Sequence, residues 1–68
     1  MNYTIELDRE DDGRWIAEIG ELPGVLAYGK TREQAITLVE ALALRVIAER
    51  LENGESVPDL SPLFSLAV

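Results

Sequence analysis

The chemistry open to this chain is that of carboxylates. Its 68 residues contain no histidine and no cysteine, against thirteen aspartates and glutamates. Catalysis by proton transfer or nucleophilic attack usually draws on a histidine, a thiolate or a hydroxyl beside a base, and no such pair can be nominated. Two carboxylate arrangements remain. Asp8, Glu10, Asp12 and Gly13 follow the first half of a calcium-binding EF-hand loop, but the twelfth position of that loop needs a bidentate glutamate and is Ile19. Strand patterns rather than helices flank it, so it reads as a solvated hairpin loop. Two-metal nuclease chemistry needs several carboxylates converging on a pair of cations. Glu6 and Asp8 share a strand face, with Glu18 expected across from one of them, and acids on a wet sheet face more often serve solubility. No metal site, no cofactor and no enzymatic activity is expected.

Size and charge narrow the remaining classes. A chain of 68 residues forms one domain, and a domain this small buries only about 60% of its unfolded surface. Without cysteine or histidine it has neither a disulfide nor a zinc staple, so a homodimer or higher oligomer is the expected route to stability. The formal net charge is −7, with six scattered basic residues (Arg9, Arg14, Lys30, Arg32, Arg45, Arg50). Phosphate recognition needs clustered cations, so direct nucleic-acid binding is not expected; the acidity suits a basic partner protein. No stretch approaches the ~20 apolar residues of a membrane span. The N-terminus lacks a signal-peptide pattern, which points to the cytoplasm.

The elements that must position these acids follow from periodicity. Residues 2–8 alternate, with Tyr3, Ile5 and Leu7 on one side and Thr4, Glu6 and Asp8 on the other, as in a half-buried strand. Asp12-Gly13 signals a hairpin. The second strand places Trp15, Ala17 and Ile19 opposite Arg14, Ile16 and Glu18. Pro23-Gly24 fits the centre of a type II turn. A short strand covers Val25 to Tyr28, although alternation leaves open which of its faces is buried. Thr31 and Gln34 fit a capping box at the start of a long helix. Leu38, Leu42, Ala35, Val46, Val39, Ala43, Ile36 and Ile47 fall on one arc of it, and Asn53-Gly54 is the stop. Residues 55–62 read as an extended connector and 63–68 as a short last strand.

The predicted architecture is therefore α+β, β-β-β-α-β, in a single domain over residues 1–68. A three-stranded antiparallel meander has its apolar face covered by the helix. Gly13, Pro23, Gly24, Thr31 and Gly54 are its turn and cap residues. Ile16 interrupts the polar sheet face, and Leu44 and Leu51 fall on the polar side of the helix, which makes these three the candidate oligomer contacts. Glu10, Asp11, Asp12, Glu18 and Glu21 are the candidate partner-binding acids, since the first 21 residues hold seven acids and two arginines.

The run Asp12-Gly13-Arg14-Trp15-Ile16-Ala17-Glu18-Ile19, then Leu22-Pro23-Gly24, then Tyr28-Gly29-Lys30-Thr31 with Glu33 and Ala35, resembles the HicB antitoxin family. That family joins a glycine-aromatic strand, an acidic Glu-Leu-Pro-Gly turn and a Gly-x-Thr helix start, and the likeness covers about Tyr3 to Pro58. The resemblance implies a partial ribonuclease H-like fold without nuclease activity. It also implies a partner: a small, basic, messenger-RNA-cleaving toxin that the antitoxin masks. Many family members continue into a DNA-binding domain; this chain ends at Val68, so that half is expected to be lacking. The alternative is a solitary homo-oligomeric domain of this type that binds another protein and has no toxin.

Overall fold

Alternation sets the first three elements. In the computed structural model, which describes residues 3–57, 64 and 67, β1 (Ile5–Arg9), β2 (Trp15–Ile19) and β3 (Leu26–Gly29) form one antiparallel sheet in the order β1-β2-β3. A single helix, α1 (Arg32–Glu52), follows. The α+β arrangement is the expected one. All of the expected last strand, 63–68, except residues 64 and 67, and most of the connector, 55–62, lie outside the described residues. Of the connector, Val57 packs against the core. Among the described residues no helix is long and apolar enough to cross a membrane.

Local chemistry explains each junction. Between β1 and β2 the Glu10 amide donates to the Arg14 carbonyl at 2.7 Å and the Gly13 amide to the Glu10 carbonyl at 2.9 Å. Gly13 has φ +91°, as a three-residue hairpin loop with glycine in the left-handed position requires. Between β2 and β3 the Val25 amide donates to the Leu22 carbonyl at 3.0 Å, and Gly24 between them has φ +84°, the type II geometry that Pro23-Gly24 predicts. Leu22, inside this connection, is fully buried. A loop side chain thus joins the core.

The helix is capped at both ends. The Thr31 hydroxyl accepts from the Gln34 amide at 3.0 Å. The Gln34 side chain returns to the Lys30 amide at 2.6 Å, one residue before the cap, rather than to Thr31 itself. At the other end the Glu55 amide donates to the Arg50 carbonyl and the Gly54 amide to the Leu51 carbonyl, the paired bonds of a Schellman motif.

The buried side of the helix lies within the expected arc, and of that arc's eight residues Leu38 alone is exposed. Ala35, Val39, Ala43 and Ile47 are its buried residues, Ile36, Leu42 and Val46 are half-buried, and Leu38 is 45% exposed. Apolar residues occupy so much of the helix circumference that periodicity alone leaves its rotation loosely determined. Small residues decide it. Ala35 lies against Gly29, where a Cβ would meet its backbone, and Ala17, Ala35 and Ala43 are buried in the same core. A narrow spacing of this kind excludes Leu38 from the contact. The third strand is also one residue later than the expected Val25–Tyr28, because Gly29 pairs with Trp15.

Candidate functional site

The helix covers one face of the sheet, which carries Ile5, Leu7, Trp15, Ala17, Ile19 and Ala27. Register then fixes the composition of the other face. Glu6 pairs with Glu18 and Glu18 with Leu26; Asp8 pairs with Ile16 and Ile16 with Tyr28. Two rows therefore cross the three strands, acidic at β1 and apolar at β3. Leu26 is 37% and Tyr28 42% exposed, and Ile16 between the two sides is half-buried. This resolves the ambiguity of the third strand: Val25 points into the core, while Leu26 and Tyr28 belong to the uncovered face. A hollow of about 330 Å³ on this side is lined by Glu6, Asp8, Glu10, Ile16 and Glu18 together with Leu7.

The five candidate partner-binding acids do not form one patch. Glu10, Asp11 and Asp12 lie in the β1–β2 loop, and Glu21 lies in the β2–β3 connection at the opposite end of β2. Five residues of strand separate the ends by about 17 Å. Glu18 lies on the uncovered face between them. Two of the five are engaged locally. The Asp12 carboxylate accepts from the Arg14 amide at 3.0 Å and pairs with the Arg14 Nε at 2.7 Å. The backbone N–H of Arg14, then its guanidinium, hold the Asp12 carboxyl below its ordinary value of 3.8. Glu21 accepts from the Thr4 amide through both carboxylate oxygens at 3.2 Å. Its own backbone N–H and that of Thr4 lower its carboxyl below the ordinary 4.5. These two acids shape the backbone around them.

The three candidate oligomer contacts divide between two surfaces. Ile16 lies on the uncovered sheet face. Leu44 and Leu51 are 58% and 50% exposed on the helix. Leu44 borders an apolar cleft of about 220 Å³ between α1 and β1, lined by Tyr3, Ile5, Ile19, Glu40, Ala43 and Ile47. The helix packs chiefly on β2 and β3, which leaves this cleft beside β1. Among the described residues no three carboxylates are grouped so as to hold a metal ion.

Leu26 and Tyr28, on the uncovered face, are not among the site residues that composition and spacing nominate. The signal that could have found them was the isoleucine at position 16. An apolar residue on a polar strand face gains from cross-strand apolar neighbours, and only Tyr28 and Leu26 could supply them. Tyr28 also has a cationic neighbour, with the Arg14 guanidinium 4.6 Å above its ring centre.

No protein-family profile matches the chain, and no solved structure is similar to it. It is similar to the UPF0150 protein Ta0767 of Thermoplasma acidophilum, with 30% identity over 59 residues that span 85% of this chain and 84% of that protein. At that identity and coverage, the chain belongs to the UPF0150 family.

Proposed function

We propose that this chain is a binding protein of the HicB antitoxin type, which masks a small, basic, messenger-RNA-cleaving toxin and has no catalytic activity of its own. The distribution of charge carries this reading. Glu6, Asp8, Glu10, Asp11, Asp12 and Glu18 gather on the uncovered face and its adjoining loop, where the structure supplies one ion pair, Arg14–Asp12. Such a surface attracts a basic protein and repels nucleic acid. The motif resemblance and membership of a family of small proteins support the same conclusion.

Binding kinetics test it. Neutral replacement of Glu10, Asp11, Asp12 and Glu18, the candidate acids that lie on this surface, should lower the association rate with the product of the neighbouring gene more than it raises dissociation, and the loss should shrink in high salt. Ribonuclease activity is read in parallel. A salt-independent association rate, or a neighbour that is not inhibited, would overturn the reading.

A second reading, a solitary homo-oligomeric domain without a toxin, is favoured by one observation. Leu44 and Leu51 stand exposed on the helix, and Leu44 borders the apolar cleft next to β1, a surface suited to a subunit contact.

A further inference from the structure

We propose that the uncovered sheet face is a docking surface for an arginine-presenting segment of a partner protein. The guanidinium lies between Glu6 and Glu18, and the apolar part of the segment lies on Ile16, Leu26 and Tyr28. The inference rests on the reading of this chain as the binder of a basic protein, and assigns the surface and the side chain that it recognises.

The first observation is a like-charge pair. Glu6 and Glu18 are direct partners across β1 and β2, and like charges directly opposed weaken a sheet. Neither carboxylate is hydrogen-bonded or ion-paired by a described residue. An arrangement that costs the isolated fold stability becomes favourable when an outside cation bridges it. Carboxylates on directly opposed residues, with Cα atoms ~5.5 Å apart, suit a planar fork with several N–H donors better than the point charge of an ammonium.

The second observation is the apolar strip beside the acids. In the adjoining row Ile16 separates Asp8 from Tyr28, and Leu26 completes the acidic row. An arginine stem crossing from β3 towards β1 keeps its methylenes on Ile16 while its head reaches the acids. The third is the contact already made inside the molecule, since Arg14 stacks on Tyr28. That cation serves the β3 side and is tied to Asp12, leaving the β1 side for a cation from another molecule. Apolar contact and charge complementarity thus coincide on one face. A partner of this kind is a protein; a phosphate-rich surface would be repelled by Glu6, Asp8 and Glu18.

The probes are a short synthetic peptide of alternating arginine and valine, and its lysine counterpart. Binding is followed by amide chemical shifts and by titration, using the wild type and the Glu6→Gln, Glu18→Gln double variant. Shifts should concentrate at Glu6, Ile16, Glu18 and Tyr28, and the arginine peptide should bind more tightly than the lysine one. The double variant should bind it at least about tenfold more weakly. Without peptide that variant should be no less resistant to urea than the wild type, because relief of the like-charge pair favours the fold. Equal binding by the double variant, or shifts confined to the β1–β2 loop or to the cleft beside Leu44, would overturn the assignment. The neighbouring gene's product separates the two proposals. If the double variant inhibits it as well as the wild type does, the antitoxin reading stands and this surface falls. If the arginine peptide docks on the face as described but no ribonuclease is inhibited, this surface stands and the antitoxin reading falls.

Discussion

Gly29, the last residue of β3, lies directly against the backbone of Ala35 in the first turn of α1. A Cβ built on Gly29 would sit 2.9 Å from the Ala35 Cα and overlap its amide nitrogen. The obstacle is backbone, so no side-chain rotation relieves it. Gly29→Ala should therefore force β3 and α1 apart and cost about 1–3 kcal/mol, the range of an overpacked core. A urea midpoint unchanged from wild type would show that the helix can shift without loss.

Gly24 is constrained for a different reason. A Cβ there would meet nothing within 4 Å, but its φ is +84°. Gly24→Ala should cost about 1 kcal/mol through backbone strain alone. Asparagine tolerates the left-handed region better, so Gly24→Asn should cost less. Denaturation midpoints of the two variants check the order.

The buried loop leucine and the exposed helix leucine should respond oppositely to truncation. Leu22 is fully enclosed, and Leu22→Ala should cost about 3 kcal/mol through lost burial and the cavity left behind. Leu38→Ala, on an exposed part of the helix, should change stability by less than about 0.5 kcal/mol. Thermal melts of the two variants check that the helix contact excludes Leu38.

Acid should loosen the tie between Glu21 and Thr4. The folded-state carboxyl of Glu21 is depressed below 4.5 by N–H donors, so its contribution is fully present above that value and is lost as pH falls through the lower folded-state value. Glu21→Gln should remove this part of the pH dependence. Below pH 4.5 the wild type should therefore lose stability more steeply than the variant, and above it their difference should be constant. Urea midpoints measured across that window decide the matter.

Self-association is expected to run through the helix surface beside β1. Leu44→Ser with Leu51→Ser should lower the mass measured by light scattering, and the melt of the wild type should depend on protein concentration. A monomeric wild type at micromolar concentration would rule this contact out.

The sequence by itself determined the elements and their order, because those depend on near neighbours in the chain. Alternation locates the first two strands, the first expected over 2–8 and found at Ile5–Arg9, the second at Trp15–Ile19; Asp12-Gly13 and Pro23-Gly24 set their turns, and Thr31 and Gly54 bound the helix. Those residues act through backbone geometry and local hydrogen bonds that need no distant partner. Tertiary structure alone decided what lies opposite what. The rotation of α1 depends on the close approach of Ala35 to Gly29, a steric fact that periodicity averages away. The exposure of Tyr28 and Leu26 follows from which face of β3 that helix occupies. Asp12 and Glu21, nine residues apart, are carried to opposite ends of β2, while Glu6 and Glu18, twelve residues apart, become direct neighbours. Charge count is a property of the chain; charge proximity is a property of strand register.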